Sequence, residues 1–106
     1  MPKFLWQASY TSEGVQGVLK DGGTGRRAAI ERLVQGLGGR LEAFYFAFGS
    51  DDVIVVADLP DQRSAAAVGL TVNAQGRTQL KTTVLLTPEE IDEAVKTSVD
   101  YRPPGG

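Results

Sequence analysis

Apolar and polar positions alternate from Phe4 to Tyr10: Phe4, Trp6, Ala8 and Tyr10 share one parity, and Leu5, Gln7 and Ser9 the other. A period of two is that of a strand. Thr11 or Ser12 then offers a hydroxyl cap for a short helical turn carrying Val15, Val18 and Leu19. Asp21-Gly22-Gly23-Thr24-Gly25 suits neither helix nor strand and predicts a loop. From Arg26 the period becomes 3.6. Ile30, Leu33, Val34 and Leu37 follow the i, i+3, i+4, i+7 rule, with Arg27, Glu31 and Gln35 opposite, and Gly38-Gly39 is the stop.

Arg40 to Phe48 and Asp52 to Leu59 are short, aromatic or β-branched runs split by Gly49-Ser50-Asp51, which predicts a hairpin. Asp61 can cap a second helix that Gly76 ends. Alternation returns from Arg77 to Leu86 as a fourth strand. Thr87-Pro88-Glu89-Glu90 reads as a capping box with proline at the first helical position, ahead of Ile91, Ala94 and Val95. The order describes one α+β domain over residues 1–106, a ferredoxin-like βαββαβ antiparallel sheet with an extra C-terminal helix. Residues 98–106, rich in Pro and Gly, predict an extended C-terminal arm.

Two crossover helices cover only one face of such a sheet, and a wet face should read polar. Here both parities of the central hairpin are apolar. The small residues Ala8, Ala43, Ala47 and Ala57 suggest the face on which helices approach closely, with Trp6 and Tyr45 in the core there. The open face would then carry Leu5, Gln7, Ser9, Phe44, Phe46, Ile54, Val56 and Asp58. That patch exceeds what monomers usually leave uncovered, and each such side chain gains roughly 1.5–3 kcal/mol on burial. A homodimer packed sheet to sheet is expected, with the third helix as the rival cover.

Composition limits the chemistry. The 106 residues include no Cys and no His, and 11 basic against 13 acidic residues leave a net charge of −2. Zinc sites, His- or Cys-ligated haem and His-dependent nucleophilic triads are therefore excluded, and neither a cofactor nor a metal is expected. The charge balance and the lack of a basic helix disfavour nucleic acid. No apolar run approaches the ~18 residues of a membrane span, and the N-terminus lacks the apolar region of a signal peptide, so the cytoplasm is the expected compartment.

Several side chains are candidates for function. Gly22 to Arg27 precedes a helix N-terminus but matches no phosphate-binding pattern and reads as a loop with solvated arginines. Asp51 and Asp52 fit a hairpin turn, and Asp61 fits a cap. Asp58 shares the parity of Ile54 and Val56. It is expected either between two sheets, where desolvation raises a carboxylate's pKa, or at the strand end in water. Gln7 and Ser9 with Phe44 and Phe46 as aromatic walls would make an apolar pocket with a few polar groups, or simply a dimer core. Tyr10 stands near a strand end, open to either side.

The succession Tyr10-Thr11-Ser12-Glu13-Gly14-Val15, Lys20-Asp21, Arg26-Arg27-Ala28, Gly38-Gly39-Arg40-Leu41-Glu42, Phe44-Tyr45-Phe46, Gly49, Asp52 and Leu59-Pro60-Asp61 resembles the GYD-domain proteins. The likeness extends through Ala65 to Ala67 and Gly76 to Tyr101-Arg102-Pro103-Pro104-Gly105. The signature (glycine, any residue, tyrosine, aspartate) stands here as Gly49-Ser50-Asp51-Asp52, with Asp51 at the tyrosine's position. The resemblance implies a dimeric α/β-barrel, whose wider relatives include cofactor-free monooxygenases, haem enzymes and ligand-sensing domains. Fold alone does not choose among these. The resulting expectation is a homo-oligomeric protein binding a small apolar or aromatic ligand between subunits through Gln7, Ser9, Tyr10, Phe44, Phe46 and Asp58. The alternative is a cofactor-independent oxygenase with Asp58 or Tyr10 as base and Gln7 and Ser9 orienting the substrate.

Overall fold

The computed structural model describes all residues, Met1–Gly106, in the order β1 (Lys3–Tyr10), α1 (Ser12–Gly36), β2 (Arg40–Phe46), β3 (Val53–Asp58), α2 (Gln62–Ala74), β4 (Thr78–Leu85) and α3 (Pro88–Val95). The four strands form one antiparallel sheet ordered β2-β3-β1-β4, as the split βαβ pattern requires. Helix α1 lies over β1 and β2, and α2 over β4.

The local signals act where the sequence put them. Asp61 accepts the Ser64 backbone N–H at 2.8 Å. The Thr87 hydroxyl accepts from Glu90 N at 3.1 Å, while the Glu90 carboxylate accepts from Thr87 N at 2.9 Å, closing the capping box. One element is longer than expected. Instead of a loop at residues 21–25, α1 consists of two helical segments that meet at a kink at Gly22, whose φ of 74° lies in the left-handed region. One glycine suffices to redirect the axis, since it alone meets no steric penalty there. The Gly-rich stretch is thus the junction of two helical segments rather than a loop.

The core lies between sheet and helices: Phe4, Trp6 and Ala8 of β1 and Val53, Val55 and Ala57 of β3 meet Val34, Ala65 and Val68, with Leu59 completing the cluster. Phe4, Trp6 and Ala8 thus lie on the helix-covered side, as the strand parity predicted. In β2 the parity is reversed. The register pairs Leu41 with Ala57 but Ala43 with Val56, so a bulge at Glu42 inserts one extra residue. Beyond it Phe44 stands opposite Val55 and Phe46 opposite Val53, on the covered face. Tyr45 stands opposite Ile54 on the open face and is 70% exposed. The expected placements of Ala43, Phe44, Tyr45 and Phe46 are therefore corrected. A period-two pattern cannot reveal where a bulge shifts it by one.

Segment 88–106 contributes nothing to this core. Every residue in it is exposed, and α3 has no buried residue. It does not cover the open sheet face of its own chain. Residues 98–106 contain no helix, and the terminus closes a turn in which Gly106 N donates to Pro103 O and Arg102 Nε to Gly106 O.

Candidate functional site

Two separate groupings replace the single pocket expected from the strand pattern. On the open face, Asp51 gathers polar partners from two strands. Its carboxylate accepts Gln7 Nε2 at 3.2 Å and Ser9 Oγ at 3.4 Å, and Lys81 Nζ stands 3.3 Å away. Asp51 is only 7% exposed. Gln7 and Ser9 are thus brought together, but by a loop carboxylate that the sequence alone assigned to a turn. No pattern marks it, because its burial depends on the hairpin loop folding back over β1. The fold-back is secured by the neighbouring Asp52. Its N–H donates to Ala8 O at 2.8 Å, its own carbonyl accepts from Ala47 N at 2.8 Å, and its carboxylate accepts from Tyr10 N at 2.8 Å. The aspartate that closes the signature therefore clamps the loop to the end of β1, and the residue at the tyrosine's position turns inward onto Gln7 and Ser9.

Asp58 sits at the other end of the same face, away from Asp51. Lys3 Nζ donates to it at 2.9 Å and to Glu42 at 2.6 Å, and Arg40 reaches it at 3.3 Å. The hydrogen bond from Lys3, helped by Arg40, holds the Asp58 carboxyl below the usual carboxylate range and outweighs its desolvation. The Lys3 ammonium is correspondingly raised by Glu42 and Asp58. The expectation that burial would raise this carboxylate's pKa is thus corrected: a paired, hydrogen-bonded carboxylate keeps its charge. Such a group is a poor base near neutral pH.

The second grouping lies on the helix side. Tyr10, Val15, Val18, Gly23, Phe46, Ala47, Phe48 and Asp52 line a cleft of about 390 Å³ between the first half of α1 and the end of β2. Phe46 leans on Gly23, where a Cβ would come within 3.2 Å of its ring, and stacks edge-on against Phe44 at a centroid distance of 5.4 Å. Phe48 stands at the rim fully exposed.

Deeper in, Tyr10 also lines a smaller, apolar cavity of about 70 Å³ with Trp6, Phe44, Ile30, Leu33 and Arg26 among its walls. Trp6 is 3% exposed and its Nε1–H is buried without an acceptor. Leaving such a donor unpaired costs about 1–3 kcal/mol. Burial raises the Tyr10 phenol, against the opposing influence of the neighbouring Arg26 guanidinium, so it stays protonated at neutral pH.

Of the candidates named from sequence, then, Gln7, Ser9 and Asp58 share the open face, while Tyr10, Phe44 and Phe46 share the helix side. No group of three or more His, Cys, Asp or Glu side chains is placed to hold a metal ion, and no helix is long and apolar enough to cross a membrane.

Comparison with curated proteins and with solved structures finds no match. The GYD domain matches residues 4–95, from the first core phenylalanine to the end of α3. The chain belongs to the GYD-domain family.

Proposed function

We propose that this chain is a small-molecule-binding protein that works as a homo-oligomer, its ligand held on the helix side of the sheet. One observation carries the reading: the 390 Å³ cleft walled by Val15, Val18 and Phe46 with Phe48 at its rim. That volume lies in the range of small-ligand sites, which are mainly apolar with a few polar groups. Tyr10 and Asp52 supply those groups here. A fully exposed phenylalanine beside an apolar cleft is a cost in water that an occupant would remove. A planar aromatic compound with one hydroxyl group satisfies these features.

The partner expected on the open face is a second copy. Leu5, Ala43, Tyr45, Ile54 and Val56 form an apolar band between the Asp51 and Asp58 clusters, and none of the chain's own helices covers it. An apolar centre with polar flanks is the usual composition of a protein interface.

The test is titration with 2-naphthol, followed by the emission of Trp6, the single tryptophan, together with native mass spectrometry of the protein as purified. The expected result is one saturable site, weakened at least tenfold by Val18→Phe, which fills the cleft. Absence of both saturable binding and a retained compound would overturn the ligand reading. Sedimentation velocity tests the oligomer, and a monomer at micromolar concentration would sink it.

A further inference from the structure

We infer that the C-terminal segment, α3 with residues 96–106, is an arm that packs on a second copy of this chain. This rests on the self-association proposed above and adds the element that secures it. Helix α3 has eight residues. Isolated helices shorter than ~12–15 residues are marginal in water, so a cap alone does not sustain it, and in globular proteins packing of an apolar face supplies the rest. Its own chain offers none, because every residue from Pro88 onward is exposed.

The segment nevertheless carries an apolar row suited to packing. Ile91 and Val95 are four residues apart, on one side of the helix, at 46% and 76% exposure. Leu86 before them and Val99 and Tyr101 after them are also largely exposed. The projection is visible in the dimensions: the radius of gyration is 16.7 Å and the longest extent 55 Å, where a compact domain of this size has a radius near 13 Å.

Charge favours a second copy as the occupant. Within residues 88–106, Glu89, Glu90, Asp92, Glu93 and Asp100 outnumber Lys96 and Arg102, a net charge of −3. The chain as a whole carries −2, so the rest is +1. An acidic arm therefore repels its like and is attracted to the body of another copy. A two-fold exchange places one arm and one receiving surface on each side, enough to reach the ~20–30 residues a side of a stable interface. The arm continues directly from β4, an edge strand of the sheet.

The test compares the full chain, a chain ending at Thr87, and the full-length double variant Ile91→Glu/Val95→Glu by sedimentation equilibrium over nanomolar to hundred-micromolar concentrations. The full chain is expected to be dimeric, with both variants dissociating at least tenfold more readily. The double variant removes only exposed side chains, so it keeps the proposal testable if the truncated chain aggregates. Equal self-association of full chain and double variant overturns the arm while leaving the sheet-face dimer standing. A monomeric full chain overturns both.

Discussion

Phe44 stands opposite Val55, on the helix-covered face of the sheet, although its parity in the sequence runs with Glu42 on the other side. The single extra residue at Glu42 makes the difference. Truncating Phe44 should therefore behave as a core mutation and truncating its neighbour Tyr45 should not. Phe44→Ala is expected to cost about 3 kcal/mol of unfolding free energy, the lower end for phenylalanine because the ring is only partly buried. Tyr45→Ala should change it by no more than about 0.5 kcal/mol in the monomer. Urea unfolding at low protein concentration measures both, and equal losses would contradict the bulged register.

Asp51 holds three donors from a nearly buried position, and this gives a second expectation. Asp51→Ala leaves Gln7 Nε2 and Ser9 Oγ without their acceptor and Lys81 without its counter-charge. The loss should be about 1–3 kcal/mol. Because Asp52 clamps the loop independently, the strand register should survive. Amide chemical shifts along β1 and β3 would show this, with changes confined to the ends of Gln7 to Tyr10.

The Lys3–Asp58 pair sets a pH dependence with opposite signs at its two ends. Asp58 titrates in the fold below its unfolded value of 3.8, so its contribution is present above that value and lost as pH falls through the folded one. Lys3 titrates above 10.5, so its contribution is present below that value and lost as pH rises through the folded one. Asp58→Asn should lower stability by about 1–2 kcal/mol, since Lys3 is partly solvated and Arg40 largely exposed. The difference from the parent should be level between about pH 5 and 9 and shrink at both extremes. Thermal unfolding across pH checks it, and a difference that grows toward acid would be inconsistent with the pair.

Two glycines in the first half of α1 should respond in opposite directions. A Cβ on Gly14 would collide with the carbonyl oxygen of Arg77 and press on Tyr10, and that carbonyl already accepts Thr11 N at 3.0 Å. Backbone must then move, at a cost of about 1–3 kcal/mol. A Cβ on Gly17 meets nothing within 4 Å, so Gly17→Ala should gain up to about 1 kcal/mol from helix propensity. Melting temperatures of the two variants, falling for the first and level or rising for the second, provide the check.

What the sequence by itself determined was set by short-range chemistry. The cap at Asp61, the capping box of Thr87 and Glu90, the type and order of the strands and of the second and third helices, and the inward parity of Phe4, Trp6 and Ala8 depend on residues a few positions apart. Such interactions leave a readable pattern. Tertiary structure decided three things that the pattern could not carry. The bulge at Glu42 arises from pairing with β3, and it moved Phe44 and Phe46 to the helix side. Asp51 became a buried hub only because Asp52 ties the hairpin loop to a strand more than forty residues away. Asp58 kept its charge because the fold brought Lys3 and Arg40 to it. Gln7 and Ser9 were thus rightly grouped with Asp58 on one face, but their partner is Asp51, and Tyr10, Phe44 and Phe46 border a different space. Each case turns on contacts between residues distant in sequence, whose competition with local preference is settled only when the chain is packed.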